Sequence, residues 1–269
     1  MGEESRVERF KKAIGFELLA SGGGGRGDVV FEWPDLETGA GLRDGGWRRL
    51  VDFVTSDAPG EGYRVQKARN DRGTFTVEIH VSSSGSRTAR ERLVELAGRT
   101  MTVDIPYVAG PTGLGDLAIT HVNPKVPTLI WVYANVCVSV DADDSGVDLL
   151  VFARDLQRQM ESHLGTVASE IPRIAELVVD PSRLHVGDEA RVTVRLASKQ
   201  PDAVFFKVED PDDRLSLAHE DANVFRFSGK TAGTSTLRAT VIDRKTLLSA
   251  SSSAVVVVSD GMESKKEER

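Results

Sequence analysis

The sequence predicts an α+β domain, an antiparallel sheet with helices packed on it, followed by an all-β sandwich. Three observations carry that expectation. In residues 130–140 apolar side chains alternate strictly, with Ile130, Val132, Ala134, Val136, Val138 and Val140 on one face, the period of a strand with one face in a core. Leu149, Phe152, Ala153, Leu156 and Met160 then recur at three- and four-residue spacing, which gives a helix one stripe to lay on a sheet. Beyond residue 172 the texture changes to short alternating strands separated by turn residues, the spacing of a sandwich. The boundaries read as 1–165 for the α+β domain, 166–172 for a linker, 173–259 for the sandwich and 260–269 for a charged tail.

Residues 4–19 predict a first helix, with Val7, Phe10, Ile14 and Leu18 on one stripe, broken by the glycines from Gly22 to Gly25. Val29 to Trp33 reads as a short strand stopped by Pro34, and residues 46–56 fit a strand or a helix equally well. Phe75, Val77, Ile79 and Val81 alternate with Thr76, Glu78 and His80 as a strand with one wet face. Thr88 and Glu91 have the spacing of a capping box, Ala89, Leu93, Leu96 and Ala97 form the stripe of the helix that follows, and Gly98 ends it. Met101, Val103, Ile105 and Tyr107 predict another strand, and residues 108–123 a Gly/Pro-rich connection. In the second domain, strands are expected around Val192–Leu196, Val204–Val208, Phe225–Phe227, Leu237–Val241 and Val255–Val258.

With 34 Lys and Arg against 41 Asp and Glu, the chain lacks the basic excess that phosphate neutralisation requires, so nucleic acid is not an expected partner. Its single cysteine, Cys137, excludes an intramolecular disulfide and reads as a small core side chain. No apolar run reaches the length of a membrane helix, so membrane insertion is not expected, and the start lacks the features of a secretory signal. A chain whose export signal had been removed would read the same way. An extracytoplasmic location is favoured in that case, and a cytoplasmic or particle-associated one otherwise.

Two resemblances add to this. Leu177 to Asp188, the strand Ala190–Ala197, and Phe227 to Val241 with its Ala232-Gly233-Thr234 turn resemble bacterial immunoglobulin-like domains of the BIG2 type, found in adhesins, envelope proteins and phage virion proteins. The resemblance implies an immunoglobulin-like sandwich acting as a spacer or adhesive module, and it carries no site residues. Gly115-Asp116, the segment 131–140 and the helix 148–160 resemble the end of cystatin-like or sensor-type α+β domains of bacterial envelope lipoproteins.

Candidate sites are few. Trp131, Tyr133 and Asn135 place two aromatic rings beside an amide on the second face of the 130–140 strand, a combination that binds an apolar or glycan-like ligand by stacking and hydrogen bonding, unless helices cover that face. Asp141, Asp143 and Ser145, with Gly146 sixth, have the opening spacing of a calcium loop, but the twelfth position is Phe152 rather than a bidentate Glu. Helix capping by Ser145 and Asp148 explains the same residues. Arg26-Gly27-Asp28 spells an integrin-binding tripeptide, which chance also supplies. Gly22, Gly24 and Gly27 match a dinucleotide fingerprint but follow a helix and precede a strand, the reverse of what pyrophosphate binding needs, and no cofactor is expected. None of the five histidines has a second ligand at metal spacing, and no catalytic constellation is visible. The expected function is therefore a non-catalytic extracytoplasmic bacterial binding, adhesion or structural module with a protein or glycan partner. A structural component of a phage or phage-like particle is the alternative, and an enzyme with a dispersed site is the third.

Overall fold

The computed structural model describes residues 5–16, 45–56, 58–82, 86–100, 102–144, 146–163, 172–198 and 200–260. The chain divides into two compact units, Met1–Ala168 with Lys245–Leu247, and Ser169–Arg244 with Leu248–Arg269. It is a β-rich α+β protein whose sheets are built almost wholly from antiparallel pairs.

The first unit is one seven-stranded sheet. Its strands are β1 (Arg48–Thr55), β2 (Gly62–Asn70), β3 (Gly73–Val81), β4 (Tyr107–Ala109), β5 (Leu117–His121), β6 (Thr128–Tyr133) and β7 (Val136–Ala142), in the order β1-β2-β3-β7-β6-β5-β4. Among the described residues three helices accompany it: α1 (Arg6–Ala13), α2 (Ser86–Gly98) and α3 (Leu149–His163). On one sheet face Cys137, Ile130, Val132, Leu117 and Ile119 join Ala89, Leu93, Leu96 and Ala97 of α2 and Phe10 and Ile14 of α1 in one apolar cluster. On the other face the stripe Leu149, Phe152, Ala153, Leu156 and Met160 of α3 is buried, as its spacing requires. The Phe152 and Phe75 rings stack there at 4.4 Å, and Trp47 meets both edge-on. The Ser5 hydroxyl accepts the Glu8 amide and starts α1. Arg6 donates to the Gly98, Thr100 and Thr102 carbonyls, supplying acceptors at the C-terminal end of α2 with a cation.

Residues 130–140 are not one strand. They form a hairpin in which Tyr133 pairs with Val136 across the two-residue turn Ala134-Asn135, and Ala134 has φ of 51°. The reversal changes which residues share a face. Trp131 and Tyr133 lie beside Val138 and Val136 under α3, whereas Ile130 and Val132 lie beside Ser139 and Cys137 under α2. Both faces are buried, so the alternation marks a sheet covered twice rather than one with a wet side.

Other expectations change in extent. The first helix closes at Ala13, before Leu18, with Gly15 at φ 72° beyond it. α2 begins at Ser86, so Thr88 and Glu91 lie inside it rather than at its cap. Among the described residues 102–107 of the expected strand, Tyr107 alone is in a strand, and Val103 is 86% exposed. The predicted strand at 29–33 lies outside the described residues.

The second unit has two four-stranded sheets. β8 (Ile174–Asp180), β10 (Glu189–Leu196), β12 (Leu215–Asp221) and β13 (Val224–Gly229) form one, in the order β12-β13-β10-β8. β9 (Arg183–His185), β11 (Val204–Glu209), β14 (Gly233–Asp243) and β15 (Ser249–Ser259) form the other, in the order β11-β14-β15-β9, with β9 parallel to β15. Leu184, Val192, Phe225, Phe227, Leu237, Val256 and Val258, drawn from both sheets, make one core. At the turn after β11 the Asp210 carboxylate accepts the amides of Arg214 at 2.6 Å and Leu215 at 2.7 Å and the hydroxyl of Ser235.

One backbone position is tightly constrained. Gly115 has φ of +63°, and a Cβ there would overlap the Val132 carbonyl oxygen and come within 2.9 Å of Trp131 Cδ1. Gly115→Ala is expected to cost about 3 kcal/mol, combining a left-handed backbone with overpacking. Urea unfolding of the full chain measures it, and a loss below about 0.5 kcal/mol would show that the turn relaxes freely.

Candidate functional site

Strand register brings the residues facing α2 into rows across the sheet. One row reads Thr55, Tyr63, His80, Cys137, Val132 and Leu117 on β1, β2, β3, β7, β6 and β5. Its second half lies in the cluster under α2. The next row begins Phe53, Val65, Glu78, and the one after it Val51, Lys67, Thr76. Here the cover ends: Phe53 is 53% exposed and Val51 42%. Three strands therefore present a partly apolar face that no described residue buries. The flank of α2 that carries Glu91, Arg92 and Glu95 stands beside it as a wall.

Where wall and open face meet there is a groove of about 510 Å³, lined by Thr55, Ser56, Glu61, Gly62, Tyr63, His80, Val81, Ser82, Glu91, Arg92 and Glu95. Helical spacing explains the wall. With Ala89, Leu93, Leu96 and Ala97 facing the sheet, Glu91, Arg92, Glu95 and Arg99 fall together on one flank. Arg92 Nη1 lies 2.5 Å and Arg99 Nη2 3.4 Å from Glu95, which holds that carboxyl below its usual range.

The floor is built on Tyr63 and His80. Cross-strand pairing stacks their rings at 4.5 Å with 30° between the planes. His80 Nε2 lies 3.5 Å from Glu78 Oε2 on the same strand. Burial is the largest influence on His80 and lowers its pKa, with Arg92 and Arg99 acting in the same direction and Glu78 opposing them, so the imidazole is uncharged at neutral pH. The His80 contact holds Glu78 below the usual carboxylate range. Next in the row, burial pushes the Cys137 thiol up and leaves it unreactive. Chemically, the groove offers an aromatic platform, a fixed neutral imidazole, hydroxyls and a wall of charges.

The residues singled out from sequence lie elsewhere. Trp131 is 0% exposed and its indole Nε1 donates to Gln157 Oε1 of α3 at 3.1 Å. Tyr133 is buried on the same face, and Asn135 closes the hairpin turn by donating to the Ser82 carbonyl at 3.2 Å. Of the two readings of this face, the structure shows the one in which a helix covers it: Trp131 and Tyr133 lie under α3. Asp143 accepts the Thr74 amide at 2.7 Å, and Asp141 lies half-buried on β7 beside Thr76 and Thr128. Asp148 caps α3 by accepting the Leu150 amide at 3.0 Å. Among the described residues no three His, Cys, Asp or Glu side chains gather as a metal would need. Ser145, Arg26, Gly27 and Asp28 lie outside the described residues. What sequence reasoning missed is Tyr63, His80 and the α2 flank. The polar face of the His80 strand was a signal for part of it; Tyr63 sits in a strand whose pattern was not legible.

No protein-family model matches this sequence, and no curated protein matches it.

Burial, with Glu78 and Asp143 nearby and Lys67 opposing, raises the Asp141 pKa to about 6. A folded-state pKa above the unfolded value of 3.8 means that ionising Asp141 costs stability, a cost absent well below pH 4 and complete above pH 6. His80, with a lowered folded pKa, acts in the opposite sense, destabilising as pH falls below its unfolded value of 6.5. Asp141→Asn separates the two. The variant should be more stable than the parent by on the order of 2 kcal/mol at pH 8, with the gap closing by pH 4. A gap that does not change with pH would show that Asp141 titrates normally.

Proposed function

We propose that the protein is a non-catalytic binding module of an extracytoplasmic bacterial protein. Its first unit holds a ligand or a partner's side chain in the groove beside Tyr63, and its second unit serves as an immunoglobulin-like spacer. One observation carries the binding role. The Thr55–Tyr63–His80–Cys137 row leaves the cover of α2 in mid-sheet, and at that point a groove of about 510 Å³ opens beside two stacked rings. This is within the volume range of small-molecule sites, which combine an apolar or aromatic platform with a few placed polar groups.

The spacer reading is supported by strand order. Counted from its start, the second unit places its first, second, fifth and fourth strands in one sheet, and β9, the continuation of the first, runs parallel to the last strand in the other. This order supports the reading of an immunoglobulin-like sandwich, in which the first, second, fifth and fourth strands share a sheet. The charged outer face of β8, β10, β12 and β13, with Arg191 paired to Glu220 and Arg195 to Glu176, suits a solvated spacer.

A ligand-detected NMR screen of small aromatic and polar fragments against the full chain tests the groove. Binders are expected whose signal is lost in Tyr63→Ala and in Thr55→Phe, the second filling the space beside Tyr63 with the platform left in place. Thermal melts confirm that both variants fold. Fragments that bind both folded variants as well as the parent would remove the groove from the function.

A further inference from the structure

We infer that the groove accepts an uncharged polyhydroxyl ligand, a saccharide ring laid on Tyr63 above Thr55. This rests on the groove being the binding site, and it adds the chemical class of what is bound.

The charges of the groove argue against an ionic ligand. Arg92 Nη1 lies 2.5 Å and Arg99 Nη2 3.4 Å from Glu95, so both guanidiniums on this flank of α2 meet one carboxylate. Glu78 lies 3.5 Å from His80 Nε2, and neither Glu61 nor Glu91 is without a partner. The charged groups are thus engaged within the protein. An ionic ligand would have to displace one of these contacts and shed its own hydration as well. A neutral ligand leaves the pairs in place and uses what pairing does not consume, the further lone pairs of a carboxylate and the further N–H groups of a guanidinium.

The lining separates one neutral ligand from another. Every lining residue except Gly62 and Val81 carries a polar or charged side chain. A ligand that is apolar throughout would strip water from these groups and return no hydrogen bond, which is unfavourable at each group left unpaired. A rim of hydroxyls replaces that water, because each hydroxyl both donates and accepts. The platform sets the second demand. His80 takes one side of the Tyr63 ring at 4.5 Å, and the neighbour of Tyr63 on β1 is Thr55, whose side chain is short. A flat group over Thr55 therefore continues the stack by one layer. Tyr63 is braced by its cross-strand partner, so little side-chain entropy remains to be lost on stacking. A pyranose meets both demands: one face is a patch of C–H groups that suits the negative face of an aromatic ring, and its edge is hydroxyl.

The test uses the full chain and reads the His80 ring-proton resonance. The probes are the methyl β-glycosides of glucose, galactose and N-acetylglucosamine, with benzamide in parallel as a flat neutral ring that has no hydroxyl. At least one glycoside is expected to bind with Kd on the order of 1 mM or below, and benzamide about ten-fold more weakly or worse. Raising salt from about 50 to 500 mM should leave the glycoside affinity unchanged, since no charge is neutralised. Tyr63→Ala should weaken the glycoside about ten-fold or more, and Tyr63→Phe by less than about three-fold, because the ring face carries the contact. Should Tyr63→Ala fail to fold, Thr55→Phe fills the same space with Tyr63 in place and should abolish binding. Glycosides that bind these folded variants as well as the parent would overturn the placement on Tyr63. Benzamide, or any fragment from the screen, shifting His80 where no glycoside does would overturn the saccharide assignment and leave the groove reading standing. The free amine, methyl β-glucosaminide, binding about ten-fold more tightly than its N-acetyl form only at low salt would do the same, because the groove would then read charge. If no glycoside and no fragment shifts His80, both fall. To separate sources of the sugar, cellotetraose and chitotetraose are compared with the corresponding glycosides. A tetramer that binds about ten-fold more tightly or better assigns the groove to a glycan chain, and equal affinity assigns it to a single sugar.

Discussion

The first unit depends on a reversal two residues long. Ala134 holds a left-handed backbone at φ 51° without being glycine, a conformation an L-residue adopts only when its surroundings impose it. The surroundings are specific. The Ala134 amide donates to Asp116 Oδ2 at 3.0 Å, the Asp116 amide donates to the Val132 carbonyl at 2.7 Å, and the Ser82 amide donates to the Asn135 carbonyl at 3.0 Å. Three chain segments thus converge on one turn. Its consequence is topological: β7 returns alongside β6 and then pairs with β3, which joins the two halves of the sheet through its middle.

From that junction the layering follows. The hairpin sends Trp131 and Val138 to one face and Ile130 and Cys137 to the other, so each face needs its own helix. α3 supplies one cover, with Gln157 accepting the indole proton so that a fully buried polar group is not left without a partner. α2 supplies the other, with α1 beside it. A single thirteen-residue helix cannot span seven strands at a spacing of about 4.8 Å, which is why the face under α2 is only partly covered. The groove is the geometric remainder of that mismatch, and α2's flank becomes its wall because the stripe and the flank are fixed to each other by helical periodicity.

Much of this was legible from residues. The stripes of α2 and α3 and the alternation of β3 are unambiguous because their buried positions are apolar. β2 was not legible, since its buried face carries Arg64 and Gln66, side chains that read as solvent-facing. The structure buries them by pairing: Arg64 meets both carboxylate oxygens of Asp52, at 2.8 and 2.7 Å, and Gln66 donates to the same group. A network between strands has no period in either strand's sequence. The 130–140 segment failed for the opposite reason. Its alternation is so regular that the turn at Ala134-Asn135, which lacks the usual glycine, left no mark, and the face assignment of Trp131 inverted with it. Tyr63 and His80 become neighbours only through register between strands, so a site built on them could not be read before the pairing was known.

The exposed apolar side chains of β1 raise the question of whether the open surface is an edge for strand addition or a face for a ligand. The strand answers it. It begins with Arg48 and Arg49, carries a register shift between Arg49 and Val51, and places Asp52 next. Charges and a bulge on an outermost strand are the devices that discourage edge pairing, because an incoming strand would meet an interrupted ladder. Arg49 and Arg64 both hold Asp52, which fixes that charge where a pairing strand would have to desolvate it. Phe53 and Val51 instead belong, by register, to the same face as Val65, Tyr63 and His80. The edge is blunted, while Val51 and Phe53 stay exposed on the face.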